Sequence, residues 1–426
     1  MSDDRPPLLE DRSFLGLLPT QLLGAFNDNV FKQTVLLVAV AYAGRVGDAW
    51  WPQPVATAAF SIPFLFSCWT GVLADRVSKR SIVVGSKALE VGVMLAGTAV
   101  FLTTDAESAV RYWALVAVLF VMAGQSTLFG PAKYGVLPEL FREGDLPRAN
   151  GLIQMTTFAA IIFGLGLAGV LKESLAGRLW VVGLACVGIA GVGTATSLLV
   201  RKTSPADPDA GLSWRRVWPT PEVAHALLDG RTLRRALLVY SIFWMLGTVL
   251  SAAVNDYGLN QLGLSETETS LLAAALGLGI GGGCAAAAWL SREPADFRLV
   301  LIGSLGVFVL GIAAAVLPWV LPGGVAVVAW TSGAVLALLG MFAGLLAVPL
   351  QVFIQAAPPA AIKGRAIGLM NTFNAVGMVL GSALYGLIVM KAGTDRASVA
   401  FAVVGVLMAP AAVLFRAERK EQAAKR

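Results

Sequence analysis

Charged residues are scarce in this chain of 426 residues. They make up 14% of the sequence, whereas hydrophobic residues make up 57%. Soluble domains contain about 25% charged and about 45–50% apolar residues. A chain of this composition has too few polar side chains to cover a surface that faces water. The sequence therefore predicts an integral membrane protein whose surroundings are largely lipid.

Cysteine and histidine are also rare, which narrows the chemistry that the chain can support. The three cysteines, Cys68, Cys186 and Cys284, lie inside apolar runs and show neither disulfide nor metal-ligand spacing. Cysteines in such positions behave as small hydrophobic residues. We therefore predict no metal site and no cofactor. The polar start of the chain is followed by no signal-peptide cleavage pattern, so the first apolar run is predicted to stay in the membrane.

Long apolar runs occupy most of the sequence, which is long enough for about a dozen spans of roughly 20 residues. We predict an all-α protein with twelve transmembrane helices. The predicted spans are Phe14–Ala43, Pro54–Ala74, Ser81–Thr103, Tyr112–Tyr134, Gly151–Leu171, Trp180–Val200, Ala236–Val254, Thr269–Leu290, Leu299–Val320, Val325–Gln351, Ala366–Met390 and Ala397–Phe415.

Lysine and arginine are distributed unevenly between these runs. Most of the 32 basic residues fall at the two ends of the chain or in segments on the same side of the membrane as those ends. Because positive charge is retained in the cytoplasm, the pattern predicts that both termini are cytoplasmic. Topology thus accounts for the net charge of +6, and no nucleic-acid partner is implied.

A polar segment with several prolines divides the twelve runs into two sets of six. We predict an N-terminal six-helix bundle over residues 1–200 and a cytoplasmic linker over 201–235. A C-terminal six-helix bundle with a short basic tail follows over 236–426.

The two halves share a sequence repeat. RANGL at 148–152 recurs as RAIGL at 365–369, and the same offset aligns Gly164 with Gly381. Two parallel six-helix repeats, with a substrate site near the midplane, are typical of major facilitator transporters. The repeat therefore favours a major facilitator fold with two pseudo-symmetric bundles.

The loop after the second predicted span resembles the signature of the major facilitator superfamily. GVLADRVSKR at 71–80 carries its glycine, aspartate and basic residues, and Ser78 replaces a second glycine. The resemblance implies a cytoplasmic gate whose carboxylate is stabilised near a helix N-terminus. An ordinary basic cytoplasmic loop is the alternative. The implied gate residues are Gly71, Asp75, Arg76 and Arg80.

The first span carries charged groups in the middle of an apolar run. Gln21, Gly24, Asp28 and Lys32 are spaced by three or four residues and share one helix face. A carboxylate at this depth requires a partner or a water-filled cavity. Lys32 could neutralise Asp28 locally, or Lys133 on the fourth span could pair with Asp28. We expect this face to bind substrate.

Other polar residues lie within the predicted spans. Lys133 precedes Tyr134 at a helix end loosened by glycine and proline, and it either binds an anion or extends to the inner interface. Lys87 and Glu90 are predicted to form a local pair. The repeat superimposes two further pairs, which either face the substrate or stabilise helix packing: Gln154 with Thr157 and Asn371 with Asn374.

Three motifs carry a more specific resemblance. QLLGAFNDN at 21–29, PAKYGVL at 131–137 and ANG at 149–151 resemble the bacterial lysophospholipid transporter family of the major facilitator superfamily. The seventh span departs from that family, because Ser251 stands near the place where a basic residue is expected. The candidate substrate-binding residues are Gln21, Asp28, Asn29, Lys32, Glu90, Lys133, Tyr134, Gln154, Asn371 and Asn374.

The resemblance implies a flippase of the bacterial inner membrane. Such a protein moves lysophospholipid, an amphiphile, from the outer to the inner leaflet for reacylation, with membrane lipids and a cytoplasmic acyltransferase as candidate partners. A proton-coupled exporter of drug-like amphiphiles, using Asp28 or Glu90, is the alternative. Acyltransferases fused to relatives need a histidine and an aspartate with four residues between them, whereas only three residues lie between His225 and Asp229. We therefore expect no enzyme activity.

Overall fold

The computed structural model describes residues 6–47, 49–106, 108–142, 145–205, 230–291, 295–357 and 363–415. These residues form helices joined by short connections, and they include no β-strand. The helices of the first half are α1 (Arg12–Arg45), α2 (Pro52–Ser61), α3 (Ser67–Arg76), α4 (Lys79–Thr103), α5 (Ala109–Gly135), α6 (Leu137–Leu140), α7 (Leu146–Ser174) and α8 (Trp180–Ser197).

The second half continues the all-helical pattern. Its helices are α9 (Arg231–Asp256), α10 (Glu266–Leu290), α11 (Phe297–Val320), α12 (Val325–Ala356), α13 (Lys363–Ala392), α14 (Val399–Met408) and α15 (Ala411–Leu414). A π-helical turn, Tyr257–Gln261, follows α9 directly. Ser265 and Glu268 form a capping box at the start of α10, which satisfies two backbone N–H groups that the helix leaves free.

Nine helices in the described ranges are long and apolar enough to cross a membrane. α1 and α7, with 34 and 29 residues, also exceed the roughly 20 residues of a span. Val399–Leu414 is a shorter apolar helix. The prediction of many membrane-spanning helices is confirmed, and the count of twelve stays a prediction.

The chain divides into two compact units. The first unit contains residues 1–38 and 59–218, and the second contains residues 39–58 and 219–426. The end of α1 and the start of α2 therefore belong to the second unit. The linker predicted over 201–235 lies largely outside the described residues, so its boundaries stay predictions.

The core of the first unit includes an apolar cluster contributed by α1, α4, α5 and α7. Phe14, Leu17 and Val83 are fully buried in it. The ring of Phe14 meets that of Phe141 edge to face, with 5.5 Å between centroids. Burying one such side chain stabilises a protein by about 1.5–3 kcal/mol. The cluster fixes the N-terminal part of α1 against its neighbours.

Glycines bring α10 and α12 into close contact in the second unit. A Cβ atom on Gly279 or Gly283 would collide with the backbone of α12, and one on Gly340 or Gly344 would collide with the backbone of α10. Small residues four apart on both helices allow this approach, which is typical of membrane helix pairs.

Candidate substrate site

Asp28 is half-buried on the polar face of α1. Ser126 of α5 donates a hydrogen bond to its Oδ2 atom over 2.5 Å. The Oδ1 atom is buried and accepts no hydrogen bond from any residue that the structure describes. One oxygen of a carboxylate within an apolar helix bundle therefore retains its capacity to accept hydrogen bonds.

Neither lysine forms the predicted ion pair with Asp28. Lys133 donates to Gln21 Oε1 over 3.0 Å, and Lys32 donates to Asn29 Oδ1 over 3.0 Å. Neither lysine forms a direct salt bridge with Asp28, although both lie near enough to interact with its charge. The physical reason is that neutral oxygens are nearer to each ammonium group. A ring face also approaches Lys32, whose Nζ atom is 5.0 Å from the centroid of Phe60.

Lys133 is held by neutral groups, and it is only half-buried. Its Nζ atom lies 4.8 Å from the ring centroid of Tyr134 and 5.8 Å from that of Phe129. Ring faces attract cations without neutralising their charge. The Tyr134 side chain is 39% exposed. No carboxylate among the described residues forms a salt bridge with Lys133, so its amino group can meet an anionic ligand.

Gln21 connects three helices around this ammonium group. Its Oε1 atom accepts from Lys133 of α5, and its Nε2 atom donates to Thr157 Oγ1 of α7 over 2.8 Å. Thr157 in turn donates to the Ile153 carbonyl over 2.7 Å. In this series of hydrogen bonds, from Lys133 through Gln21 and Thr157 to the Ile153 carbonyl, each donor meets an acceptor. The amide of Gln21 therefore fixes the position of the Lys133 ammonium group.

The predicted pair of Lys87 and Glu90 is confirmed. Lys87 Nζ lies 2.6 Å from Glu90 Oε2, and the two side chains are 3% and 0% exposed. Asn27 Nδ2 donates to the other carboxylate oxygen over 2.8 Å. The Lys87 ammonium group also lies over the Phe129 ring at 4.5 Å. Glu90 is therefore a neutralised structural group in this arrangement and does not face an open site.

Gly24 allows this buried pair to approach α1. A methyl group on Gly24 would occupy the position of the Lys87 ammonium group and would lie 3.5 Å from Glu90 Oε2. The ammonium group cannot move away easily, because Glu90 holds it from the other side. The glycine on the polar face of α1 thus has a steric role.

Several other candidate residues take separate positions. Asn29 donates to the Ala25 carbonyl of its own helix over 2.8 Å. In the second unit Asn374 is buried, with its Oδ1 atom 3.4 Å from Ser241 Oγ, whereas Asn371 is exposed. The side chain of Gln154 lies outside the described residues. The role of the two repeat-related pairs therefore stays a prediction.

The predicted gate is described only in part. The side chain of Asp75 lies outside the described residues, and Arg76 is exposed. Gly71 is half-buried with open space beside it. Arg80 Nε donates to the Val200 carbonyl over 2.7 Å, which ties this loop to the end of α8. The gating role of these four residues stays a prediction.

Sequence reasoning missed three partners in the first unit. Asn27 and Ser126 hold the carboxylates of Glu90 and Asp28. Glu139 forms a 2.5 Å salt bridge with buried Lys79, next to the predicted gate loop. Asn27 lies within the motif QLLGAFNDN at 21–29. Nothing in the sequence around Ser126 or Glu139 indicates that either side chain has a charged partner.

The first unit holds a half-buried cation, Lys133, and a carboxylate with a free oxygen, Asp28, among apolar helices. Ions at this depth mark substrate or ion pathways, so the arrangement is typical of a multi-pass membrane transporter. The sequence model of the Major Facilitator Superfamily matches residues 17–382. The chain belongs to that superfamily. The predicted major facilitator fold is thereby confirmed.

Named relatives are similar over nearly the whole chain. The chain is 29% identical to the lysophospholipid transporter LplT of Enterobacter sp. (strain 638) over 399 residues, which cover 90% of each protein. It is also 29% identical to LplT of Cronobacter sakazakii over 402 residues, covering 91% of this chain and 92% of that protein.

A solved structure is similar in fold. The crystal structure of the human organic anion transporter MFSD10 (TETRAN) superposes with a TM-score of 0.69. The alignment covers 97% of this chain and all of that chain, at 16% sequence identity. This similarity supports the fold and says nothing about the substrate.

Proposed function

We propose that this protein moves lysophospholipids from the outer to the inner leaflet of the bacterial inner membrane. The observation that carries the proposal is the pair of opposite charges in the first unit, Asp28 and Lys133, which bind neutral groups rather than each other. The similarity to transporters named for lysophospholipids, over about nine-tenths of each sequence, supports the same substrate class.

The charges suit the head group of such a lipid. Lys133, half-buried with only neutral contacts, offers an ammonium group to the phosphate. Asp28 Oδ1, which accepts no hydrogen bond from the described residues, offers an acceptor to an amine. Ionised donors and acceptors form the stronger class of hydrogen bonds. A zwitterionic head group would engage both side chains without either having to break an ion pair first.

The single acyl chain needs no polar partner. Large apolar side chains are exposed on several helices of the first unit, including Phe163, Leu167 and Val170 of α7. In a membrane these faces contact lipid tails, so an acyl chain can stay in lipid while the head group follows the polar route. We infer that the lipid delivered to the inner leaflet serves a cytoplasmic acyltransferase.

The head-group assignment predicts selective losses. Asp28→Asn should slow the transport of lysophosphatidylethanolamine about 10- to 100-fold but leave lysophosphatidylglycerol, which has no amine, within about 3-fold. Lys133→Gln should slow both lipids. The magnitude follows from the roughly 1.5–3 kcal/mol that a hydrogen bond to a charged group contributes. The assay is flipping of labelled lipids in liposomes that contain the purified protein.

Matched controls separate the site from a general effect of charge. Asp395 and Lys391 are exposed in the second unit, so Asp395→Asn and Lys391→Gln remove the same charges outside the site. Both controls should transport like the wild type. Equal losses for the two lipids in Asp28→Asn would refute the assignment of Asp28 to the amine.

A further inference from the structure

Lys32 is a charged residue of the first unit with no part in the head-group contacts proposed for Asp28 and Lys133. It is half-buried on the polar face of α1, one turn beyond Asp28. Its Nζ atom donates to Asn29 Oδ1 over 3.0 Å and lies 5.0 Å from the ring centroid of Phe60 on α2. No carboxylate in the part of the chain that the structure describes forms a salt bridge with it. Lys32 is therefore a second cation that neutral groups hold in place.

Two contacts between α1 and α5 fix the level of each charge along the helix axes. Lys133 meets Gln21, and Ser126 meets Asp28. The two contacts are seven positions apart on α1, from 21 to 28, and seven apart on α5, from 126 to 133. The helices therefore run side by side in opposite directions here. At about 1.5 Å per residue, Asp28 lies about 10 Å along the axis from the level of Lys133, and the Cα atom of Lys32 lies about 6 Å farther in the same direction.

The three charged residues follow one another along this face with alternating sign. Lys32, Asp28 and Lys133 span about 16 Å, which is roughly half of the ~30 Å hydrocarbon core of a bilayer. Both lysines lie near enough to Asp28 to interact with its charge, and neither is bonded to it. Because the N-terminus is predicted to be cytoplasmic, Lys32 is the outermost of the three and Lys133 the innermost. An anion therefore meets one cation on the outer side of the carboxylate and another on its inner side.

The second apolar segment, Pro52–Ala74, is interrupted beside Lys32. A 3₁₀-helical turn, Ile62–Phe66, joins α2 to α3 and contains a proline, which has no N–H to donate. A stretch of 3₁₀ helix within a longer helix often marks a hinge. Phe60, whose ring faces the Lys32 ammonium group, lies in the last turn of α2, directly before this hinge. A movement at the hinge would shift the ring against Lys32 and leave the contact between Lys133 and α1 in place.

The order of the charges matches the charges of a lysophospholipid head group. The phosphate carries the negative charge, and in lysophosphatidylethanolamine an amine on a two-carbon linker carries the positive charge. Hydrogen bonds between ionised partners are roughly twice as strong as neutral ones, so each group gains most from a partner of opposite sign. A phosphate at Lys32 directs the amine inward to Asp28, and a phosphate at Lys133 directs it outward to the same carboxylate. The amine can therefore stay at Asp28 while the phosphate changes partners.

We propose that Lys32 is an outer phosphate-binding residue, from which the phosphate of the lysophospholipid passes to Lys133 while Asp28 holds the amine. Lys32 captures the head group that arrives from the outer leaflet, and Lys133 receives it on the way to the inner leaflet. Each step exchanges one hydrogen-bonded ion pair for another, and no covalent bond changes. The inference rests on the transport function proposed above, whereas binding of the phosphate by Lys32 can be measured without transport.

Binding of lysophosphatidylglycerol to the purified protein in detergent tests the phosphate site. Lys32→Gln should weaken binding about 10-fold or more, which is the lower end of what a hydrogen bond to a charged group contributes. Lys32→Arg keeps the charge and should bind within about 3-fold of the wild type. Lys391→Gln, at an exposed position of the second unit, is the matched control and should bind like the wild type.

A lipid without a phosphate separates a binding role of Lys32 from a structural one. Lys32→Gln and the wild type should bind an uncharged monoacylglycerol of the same chain length equally well. A loss of the same size for both lipids would overturn the proposal, because Lys32 would then act on the structure and not on the phosphate. Unchanged binding of lysophosphatidylglycerol by Lys32→Gln would overturn it as well.

Flipping kinetics test the order of the two lysines, in liposomes that hold the protein in one orientation. The initial rate is measured against the mole fraction of labelled lysophosphatidylglycerol in the outer leaflet. Lys32→Gln should raise the mole fraction that gives half the maximal rate about 10-fold and change the maximal rate less than 3-fold, whereas Lys133→Gln should lower the maximal rate. A half-saturating mole fraction that stays at the wild-type value in Lys32→Gln would overturn Lys32 as the entry residue. If the wild type moves no lysophospholipid, the transport proposal fails, and the binding measurement still decides whether Lys32 holds the phosphate.

Discussion

Removing one member of the buried Lys87–Glu90 pair should destabilise the first unit more than removing both. Glu90→Leu leaves the Lys87 ammonium group without its carboxylate and leaves Asn27 Nδ2 without its acceptor. Lys87→Met leaves a carboxylate that is 0% exposed with only the Asn27 amide as a donor. Each change thus leaves a buried ion without its counter-ion in a site that water does not reach.

The magnitude follows from the burial of the pair. Breaking a buried ion pair from one side costs about 3–5 kcal/mol, and loss of the Asn27 hydrogen bond adds about 0.5–1.5 kcal/mol for Glu90→Leu. Replacing both members with apolar residues of similar volume is often neutral. We expect the free energy of unfolding of the double variant, Lys87→Met with Glu90→Leu, to lie within about 2 kcal/mol of the wild-type value. The coupling energy between the two positions is then several kcal/mol.

The assay compares membrane abundance and thermal unfolding of the purified protein in detergent. Both single variants should be depleted and should unfold at clearly lower temperature, and the double variant should recover most of the loss. Lys391→Met, at an exposed position, is the control for loss of one positive charge and should change stability by less than about 0.5 kcal/mol. Additive effects of the two single changes would refute the pair as a structural unit.

Two glycine substitutions test close packing. Gly283→Leu should destabilise the second unit by about 1–3 kcal/mol or more, because the side chain would meet the α12 backbone. Gly282 faces open space, so Gly282→Leu is the control. Equal unfolding temperatures of the two variants would contradict the close packing. Gly24→Ala should displace the Lys87 ammonium group and lower abundance, whereas Gly92→Ala on α4, also facing open space, should be silent.

Local patterns in the sequence predicted the parts of the structure that depend on one helix at a time. Lys87 and Glu90 are three residues apart, so helix geometry alone places them on one face. Glycines four apart on an apolar helix similarly predict close contact with a neighbour, which Gly279 and Gly283 make. These features require no knowledge of which helix lies next to which.

Contacts between helices could not be predicted in the same way. Ser126 reaches Asp28 across 98 positions of sequence, and nothing in the apolar run around it distinguishes it from a packing residue. Gln21 was expected on the polar face, but its role as the acceptor for Lys133 depends on the rotation of α1 against α5. Lys133 donates to an oxygen that is 112 positions away in sequence, and only the assembled bundle brings the two together.

Asp256 shows how the end of an apolar run can mislead. The seventh span was predicted to end at Val254, but α9 continues to Asp256 and the π-helical turn continues to Gln261. Asn255 and Asp256, which lie just beyond the predicted span, are buried. Their burial depends on packing in the second unit, where Tyr385 supplies the hydroxyl that meets Asp256.

The central claim is that this protein moves lysophospholipid between leaflets. Liposomes that contain the purified protein can be loaded with labelled lysophosphatidylethanolamine in the outer leaflet alone, beside a panel of small drug-like amphiphiles. The account predicts that the lysophospholipid reaches the inner leaflet much faster than in protein-free liposomes and faster than the other amphiphiles move. A lysophospholipid rate equal to that of protein-free liposomes, with movement of a drug-like amphiphile instead, would contradict it.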